Sequence, residues 1–142
     1  MTYSIQEVAR KFGLSAHTLR YYDKEGLLPF VGRDKSGNRV FTDTDLQWLT
    51  MICCLKNTGM PIKEIKQYAD WCAQGPDTID ERKAMLLAHR KNVVKQMEEF
   101  QKHLALIDSK IAVYDNPELA RKRYGGLTGA KADEPSAEPN YS

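Results

Sequence analysis

The chain has 142 residues, of which 42% are hydrophobic and 28% charged, the composition of a soluble, largely helical protein with one modest core. No apolar run is long enough to span a bilayer, and the opening MTYSIQEVARKFG lacks the basic-then-apolar order of a secretory signal, so a cytoplasmic protein with no membrane partner is expected. The net charge of +2 is uninformative as a sum, but Arg10 to Arg39 holds seven Lys/Arg against three Asp/Glu, and three cysteines cannot all pair within one chain.

In chain order, Ser4 is placed to cap a first helix, and Glu7 three residues later completes a capping-box pattern. Ile5, Val8, Ala9 and Phe12 follow at helical spacing, and Gly13 breaks the helix. Ser15 caps a second helix, SAHTLRYYDKEGLL, with Leu19 and Tyr22 on its inner face and Gly26 as its stop. Two short helices joined by a Gly-containing turn make a helix-turn-helix pattern. In GRDKSGNRVFTDTD, Ser36-Gly37-Asn38 lies between β-prone flanks and reads as a basic hairpin, a wing. Thr42 or Asp43 then caps a helix to about Thr58, and a further helix runs from Pro61 to Gly75.

The longest element runs from Pro76 to Asn116. Alternating steps of four and three give Ile79, Lys83, Leu86, Arg90, Val93, Met97, Phe100, Leu104, Ile107, Ile111 and Tyr114, of which nine are apolar. That is a coiled-coil seam, and the preceding part is too small to cover it, so a homodimer through Val93, Met97, Phe100, Leu104, Ile107, Ile111 and Tyr114 is expected. Asn116-Pro117 ends the helix; PELARKRY can add one or two turns, and GGLTGAKADEPSAEPNYS has a disordered composition.

The order helix-turn-helix, wing, helix pair and long coiled-coil helix resembles the MerR family of transcriptional regulators. The likeness is carried by SIQEVARKFGLSAHTLRYYDKEGLLPFVGRDKSGNRVFTDTDL and NTGMPIKEIKQY, with TLRYYDKEGLL the most specific stretch. It covers residues 1 to about 114 and implies a mainly α fold: a winged helix-turn-helix head over residues 1–75 and an antiparallel coiled-coil dimerisation helix over 76–116, followed by a C-terminal segment, 117–142, that its composition marks as a largely disordered tail. It also implies a dimer on double-stranded promoter DNA that bends and untwists an overlong spacer. RNA polymerase is then engaged only indirectly, through the promoter. The chain is similar to the branch that lacks an added ligand domain, often called AdhR- or NmlR-like and linked to aldehydes and other thiol-reactive electrophiles.

Within that frame, the second helix should enter the major groove, with His17, Thr18 and Arg20 near base edges or phosphates and Arg20 the best bidentate donor. The resemblance splits the aromatic pair, and helical spacing puts Tyr22 inside, which leaves Tyr21 for the backbone unless both rings are core. On the wing, Arg33, Asn38 and Arg39 are expected to neutralise phosphates and set register, with Lys35 either joining them or simply solvated. Asn38 stands where the family usually has Tyr. Lys63 would reinforce a helix N-terminus as an anion site.

At about 100° per residue, Cys53 falls on the apolar arc of Leu46, Trp48, Leu49, Ile52 and Leu55. Cys54 falls among Gln47, Thr50, Asn57 and Thr58. Cys54 also matches the cysteine of the electrophile-responsive branch, which makes it the expected sensor; otherwise it is a tolerated small residue. Cys72 reads as filler at a helix end. Adjacent cysteines on one helix chelate poorly, and GPDTIDER and YDNPELARKRYGG, where metal-sensing relatives hold ligands, have neither Cys nor His, so no metal or cofactor is expected. No nucleophile–base set or phosphate loop stands out, which argues against an enzyme. The remaining alternative is a dimeric architectural protein with a helix-turn-helix-like head and no effector response.

Overall fold

The computed structural model describes residues 1–124 and divides at Val93/Val94 into two compact units. Residues 125–142, where the disordered tail was expected, lie outside the described residues.

The first unit begins with a strand, β1 (Thr2–Ser4), followed by α1 (Ile5–Phe12) and α2 (Ala16–Lys24). The expected capping box is present: Glu7 N–H donates to Ser4 Oγ at 3.2 Å and Ser4 N–H to a Glu7 carboxylate oxygen at 3.1 Å. Hydrogen bonding from the Ser4 backbone N–H, and then from the Ser4 side chain, holds the Glu7 carboxyl below its ordinary range. Leu14 N–H returns to the Ala9 carbonyl, closing the turn between the helices. Ser15 Oγ then accepts Thr18 N–H at 3.0 Å and starts α2. Val8, Ala9, Leu19 and Tyr22 are buried where the two helices meet the core.

The wing is β2 (Gly32–Arg33) and β3 (Arg39–Thr42), paired antiparallel with Arg33 opposite Arg39. β1 adds to the other edge of β3, with Tyr3 opposite Phe41, which gives a three-stranded sheet in the order β1-β3-β2. The N-terminal strand was not anticipated. Three residues carry too little pattern to announce a strand, and this one exists only because β3, some forty residues on, supplies its hydrogen bonds.

Two further helices, α3 (Asp43–Asn57) and α4 (Ile62–Gln74), complete the core. Thr42 is the α3 cap, and Asp45 closes a second capping box by accepting both Thr42 N–H and Thr42 Oγ–H, so its buried carboxylate is satisfied. Leu27, Leu28, Val31 and Phe41 meet Leu49, Ile52 and Leu55 of α3 and Ile65 of α4 in one cluster. Trp48 pins the segment before the wing: its indole N–H donates to the Leu27 carbonyl at 2.8 Å, its ring stacks on Tyr68 at 5.9 Å, and Phe30 meets it edge-on at 5.5 Å. The helix α2 and the wing are therefore anchored to the same two helices.

After α4 the chain turns at Gly75, whose φ of 93° a side chain would strain. Arg82 brackets the turn, donating to the Gly75 carbonyl at 2.6 Å and to Thr78 Oγ at 3.1 Å. A short 3-10 turn, Pro76–Thr78, leads into α5 (Ile79–Tyr114) of 36 residues. Met85 and Leu86 of α5 pack against the head core, which carries the first unit to Val93, beyond the boundary that the Gly75-Pro76 loop suggests.

The second unit holds the rest of α5 and a helix α6 (Pro117–Tyr124), whose first turn is capped by Asn116. PELARKRY thus forms the further helical turns expected of it. Met97, Phe100, Leu104, Ile107, Ile111 and Tyr114 are each more than half exposed, Phe100 most at 70%, while Val93 is half-buried.

Ser15→Ala is expected to cost about 1 kcal/mol of stability through the lost N-cap. Chemical denaturation of the two proteins measures it, and an unchanged midpoint would show that the Ser15 cap contributes nothing to stability.

Candidate nucleic-acid interface

α2 presents His17, Arg20 and Tyr21 to solvent and turns Leu19 and Tyr22 into the core, the division that helical spacing demands. Tyr21 is 44% exposed and Tyr22 only 5%, so the aromatic pair is split as expected. Burial pushes the Tyr22 phenol up, away from ionisation. Thr18 is half-buried and its hydroxyl sits against Ser15 Oγ, so part of its hydrogen-bonding capacity serves the helix start. Among the described residues Arg20 has no ion pair, and it lines a cleft between α2 and the wing together with Asp23, Arg33, Asn38 and Arg39.

The wing turn is built by Asp34. Its carboxylate accepts Ser36 N–H and Asn38 N–H, both at 2.9 Å, while Gly37 takes φ 84°. This is an Asx-type turn that mimics backbone hydrogen bonding. It leaves Lys35 and the Asn38 side chain exposed at the tip. Lys63 is exposed on the first turn of α4, a helix start with no side-chain cap.

The two wing arginines differ. Arg33 has a side chain 55% exposed, donates to the Gly37 carbonyl at 2.7 Å and lies 3.8 Å from Asp23. Arg39, expected to stand on the wing as a phosphate cation, is instead turned inward. It makes a bidentate pair with Asp23 at 2.6 and 2.9 Å and donates a third hydrogen bond to the Val31 carbonyl. Neither Asp23 nor Asp34 was singled out in the sequence. The signal available was charge: three acids within a stretch of seven bases are each well placed to find a partner.

The cysteines separate as the wheel predicts. Cys53 is half-buried against the core, and burial pushes its thiol up. Cys54 is exposed. One turn later Thr58 Oγ donates to the Cys54 carbonyl at 2.7 Å and also meets His89 Nε2 at 2.7 Å. The hydroxyl has one proton, so with that proton on the carbonyl it is Nε2–H of His89 that donates. A polar link thus runs from the end of α3 to α5. Cys72 is half-buried beside Tyr68, with its sulfur 3.9 Å from an Arg82 nitrogen. Among the described residues no group of three or more His, Cys, Asp or Glu is placed to hold a metal ion, and no helix is long and apolar enough to cross a membrane.

A helix-turn-helix with an outward basic face, a hairpin wing beside it and a two-helix support define a winged helix-turn-helix DNA-binding head. Residues 3–70 match the family model of MerR HTH regulatory proteins, and residues 46–109 match that of the MerR DNA-binding region. The chain is 54% identical over 114 residues to an uncharacterised HTH-type transcriptional regulator of Haemophilus influenzae, covering 80% of this chain and 84% of that one. It is 37% identical over 92 residues to the regulator AdhR of Bacillus subtilis, covering 65% and 66% of the two chains. It superimposes with a TM-score of 0.76, at 52% identity, on HiNmlR, a MerR family regulator lacking the sensor domain, solved bound to promoter DNA; 83% of this chain and 94% of that one are covered. This protein belongs to the MerR family of transcriptional regulators, and its relatives are regulators rather than enzymes.

Proposed function

We propose that the protein binds promoter DNA as a homodimer in the cytoplasm and activates transcription by distorting an overlong spacer, in response to electrophiles that modify Cys54. The observation that carries the DNA reading is the exposed face of α2, with Arg20 in no ion pair among the described residues and beside an anchored wing, in a chain 52% identical to a regulator solved on promoter DNA. His17, Thr18 and Arg20 face the major groove, and Tyr21, Arg33, Asn38 and Lys63 contact the backbone. Bending and untwisting a site of this size costs on the order of several kcal/mol, which phosphate contacts from two heads and their wings offset. RNA polymerase then meets both of its recognition elements without a large protein contact of its own.

The sensing part rests on the contrast between neighbours. A thiol reacts as thiolate and must be reached by its electrophile. Cys54 is exposed, whereas Cys53 is half-buried and shifted away from ionisation. An adduct on Cys54 adds bulk at the polar face of α3, one turn before the Thr58–His89 link to α5. The adduct acts only if it stabilises the activating conformer more than the repressing one.

The test is promoter transcription in vitro with Cys53→Ala, Cys54→Ala and Cys72→Ala, each with and without an aldehyde. Only Cys54→Ala should lose the response while retaining operator binding. A full response from that variant places the sensor elsewhere. Gel shifts across a salt series separate a regulator, which discriminates sequences at every salt concentration, from an architectural protein whose binding is weak and purely salt-driven.

A further inference from the structure

We infer that Asp23 is a positioning residue that divides the two wing arginines between structure and DNA: it holds Arg39 inside the head as a strut and leaves Arg33 as the wing's phosphate-binding arginine. This rests on the DNA-binding reading above and adds to it a residue outside the basic set.

The geometry is that of a fork meeting a fork. Arg39 Nε donates to one Asp23 oxygen at 2.9 Å and Nη2 to the other at 2.6 Å, while Nη1 is taken by the Val31 carbonyl. Each nitrogen of the guanidinium has an acceptor, and both side chains are largely shielded, at 23% and 20% exposed. Arg33 meets the same carboxylate only at 3.8 Å with a side chain 55% exposed. A phosphate approaching Arg39 must displace two short charge-assisted hydrogen bonds; one approaching Arg33 at Nη2 displaces only the 3.8 Å contact to Asp23, while Nη1 keeps its 2.7 Å hydrogen bond to the Gly37 carbonyl.

Two consequences follow for recognition. Asp23 lies on α2 and Arg39 on β3, so the pair fixes the wing relative to the recognition helix, as base and phosphate contacts in one register require. The pair is also neutral, so of the three arginines that line the cleft it is Arg20 and Arg33, and not Arg39, that offer DNA a charge. Asp23 thereby limits non-specific attraction, which depends on how many phosphates are neutralised.

The experiment measures affinity across a salt series for two duplexes: one recovered by wild-type protein from a random pool, and one of scrambled sequence. Asp23→Asn places an amide nitrogen against a guanidinium nitrogen and frees Arg39. The salt slope should steepen by about 0.9 per head for the released cation. Scrambled DNA should bind more tightly, and the ratio of selected to scrambled affinity should fall about tenfold, the scale of one weakened specific contact. Asp23→Glu, which keeps the charge, should restore most of that ratio. Asp23→Asn/Arg39→Gln removes the released cation and should return to the wild-type slope.

An Asp23→Asn protein with wild-type slope and ratio overturns the inference. So does one that loses affinity for both duplexes equally at unchanged slope, which is what a merely structural residue would do. Should Asp23→Asn not fold, the double variant decides alone: a slope flatter than wild type by about one per head shows that Arg39 neutralises a phosphate after all. Wild-type protein that does not distinguish the duplexes overturns the DNA-binding reading itself, a separate and visible failure.

Discussion

Leu104→Asp is expected to dissolve the proposed dimer and, with it, operator binding. The α5 seam leaves Met97, Phe100, Leu104, Ile107, Ile111 and Tyr114 each more than half exposed in one chain. A row of large apolar side chains at heptad spacing is an interaction surface rather than scattered surface variation. In a homodimer each substitution occurs twice, and an unpaired carboxylate in an apolar seam costs at least several kcal/mol unless it is protonated. That cost rivals the association energy of a modest coiled coil. Operator affinity should fall by orders of magnitude, because each head then binds its half-site without the effective concentration that linkage supplies. Analytical ultracentrifugation checks the first part and gel shift the second. A wild-type monomer, or a dimer that survives Leu104→Asp, would remove the basis for two-headed binding. Because Leu104 lies outside the head unit, the thermal unfolding of the head should change little.

Arg20→Ala and Arg33→Ala should fail in different ways. Arg20 projects from α2 and has no ion pair among the described residues, so its guanidinium is free to bind a base edge at two points. Its loss should cost about 1–3 kcal/mol per half-site and relax specificity at one base position. Arg33 lies on the wing, which in the proposed function contacts phosphates. Its loss should weaken all sequences alike and flatten the salt slope by about one per head. Arg39→Ala should follow neither pattern. It deprives Asp23 of its close partner and loosens the wing, so stability and specificity should fall together. Selection of preferred sites with each variant, combined with a salt series, separates the three. Loss of specificity at the same base position in Arg20→Ala and Arg33→Ala would contradict the assignment.

Much of this protein is legible from local rules. Ser4-Glu7, Ser15 and Thr42 are caps because a hydroxyl or carboxylate at those places meets N–H groups of the next turn, a relation confined to four residues. The split of Tyr21 from Tyr22 and of Cys53 from Cys54 follows from a fixed 100° step on helices that exist for local reasons. The exposed seam of α5 is likewise a spacing property of one helix. Family membership rests on runs such as TLRYYDKEGLL, and the two family models that match the chain agree. Other features have no local signature. β1 is three residues long and becomes a strand only through pairing with β3. The head continues into α5 because Met85 and Leu86 reach the core, not because any residue near Gly75 says so. Arg39 looks like every other basic residue of the wing until Asp23, 16 residues earlier, is brought within 2.6 Å. Whether a cation is available to DNA or committed to a partner is decided by proximity in space. Sequence spacing reports proximity only along a single helix or strand, so the inward turn of Arg39 and the link from Thr58 to His89, 31 residues apart, belong to the tertiary structure alone.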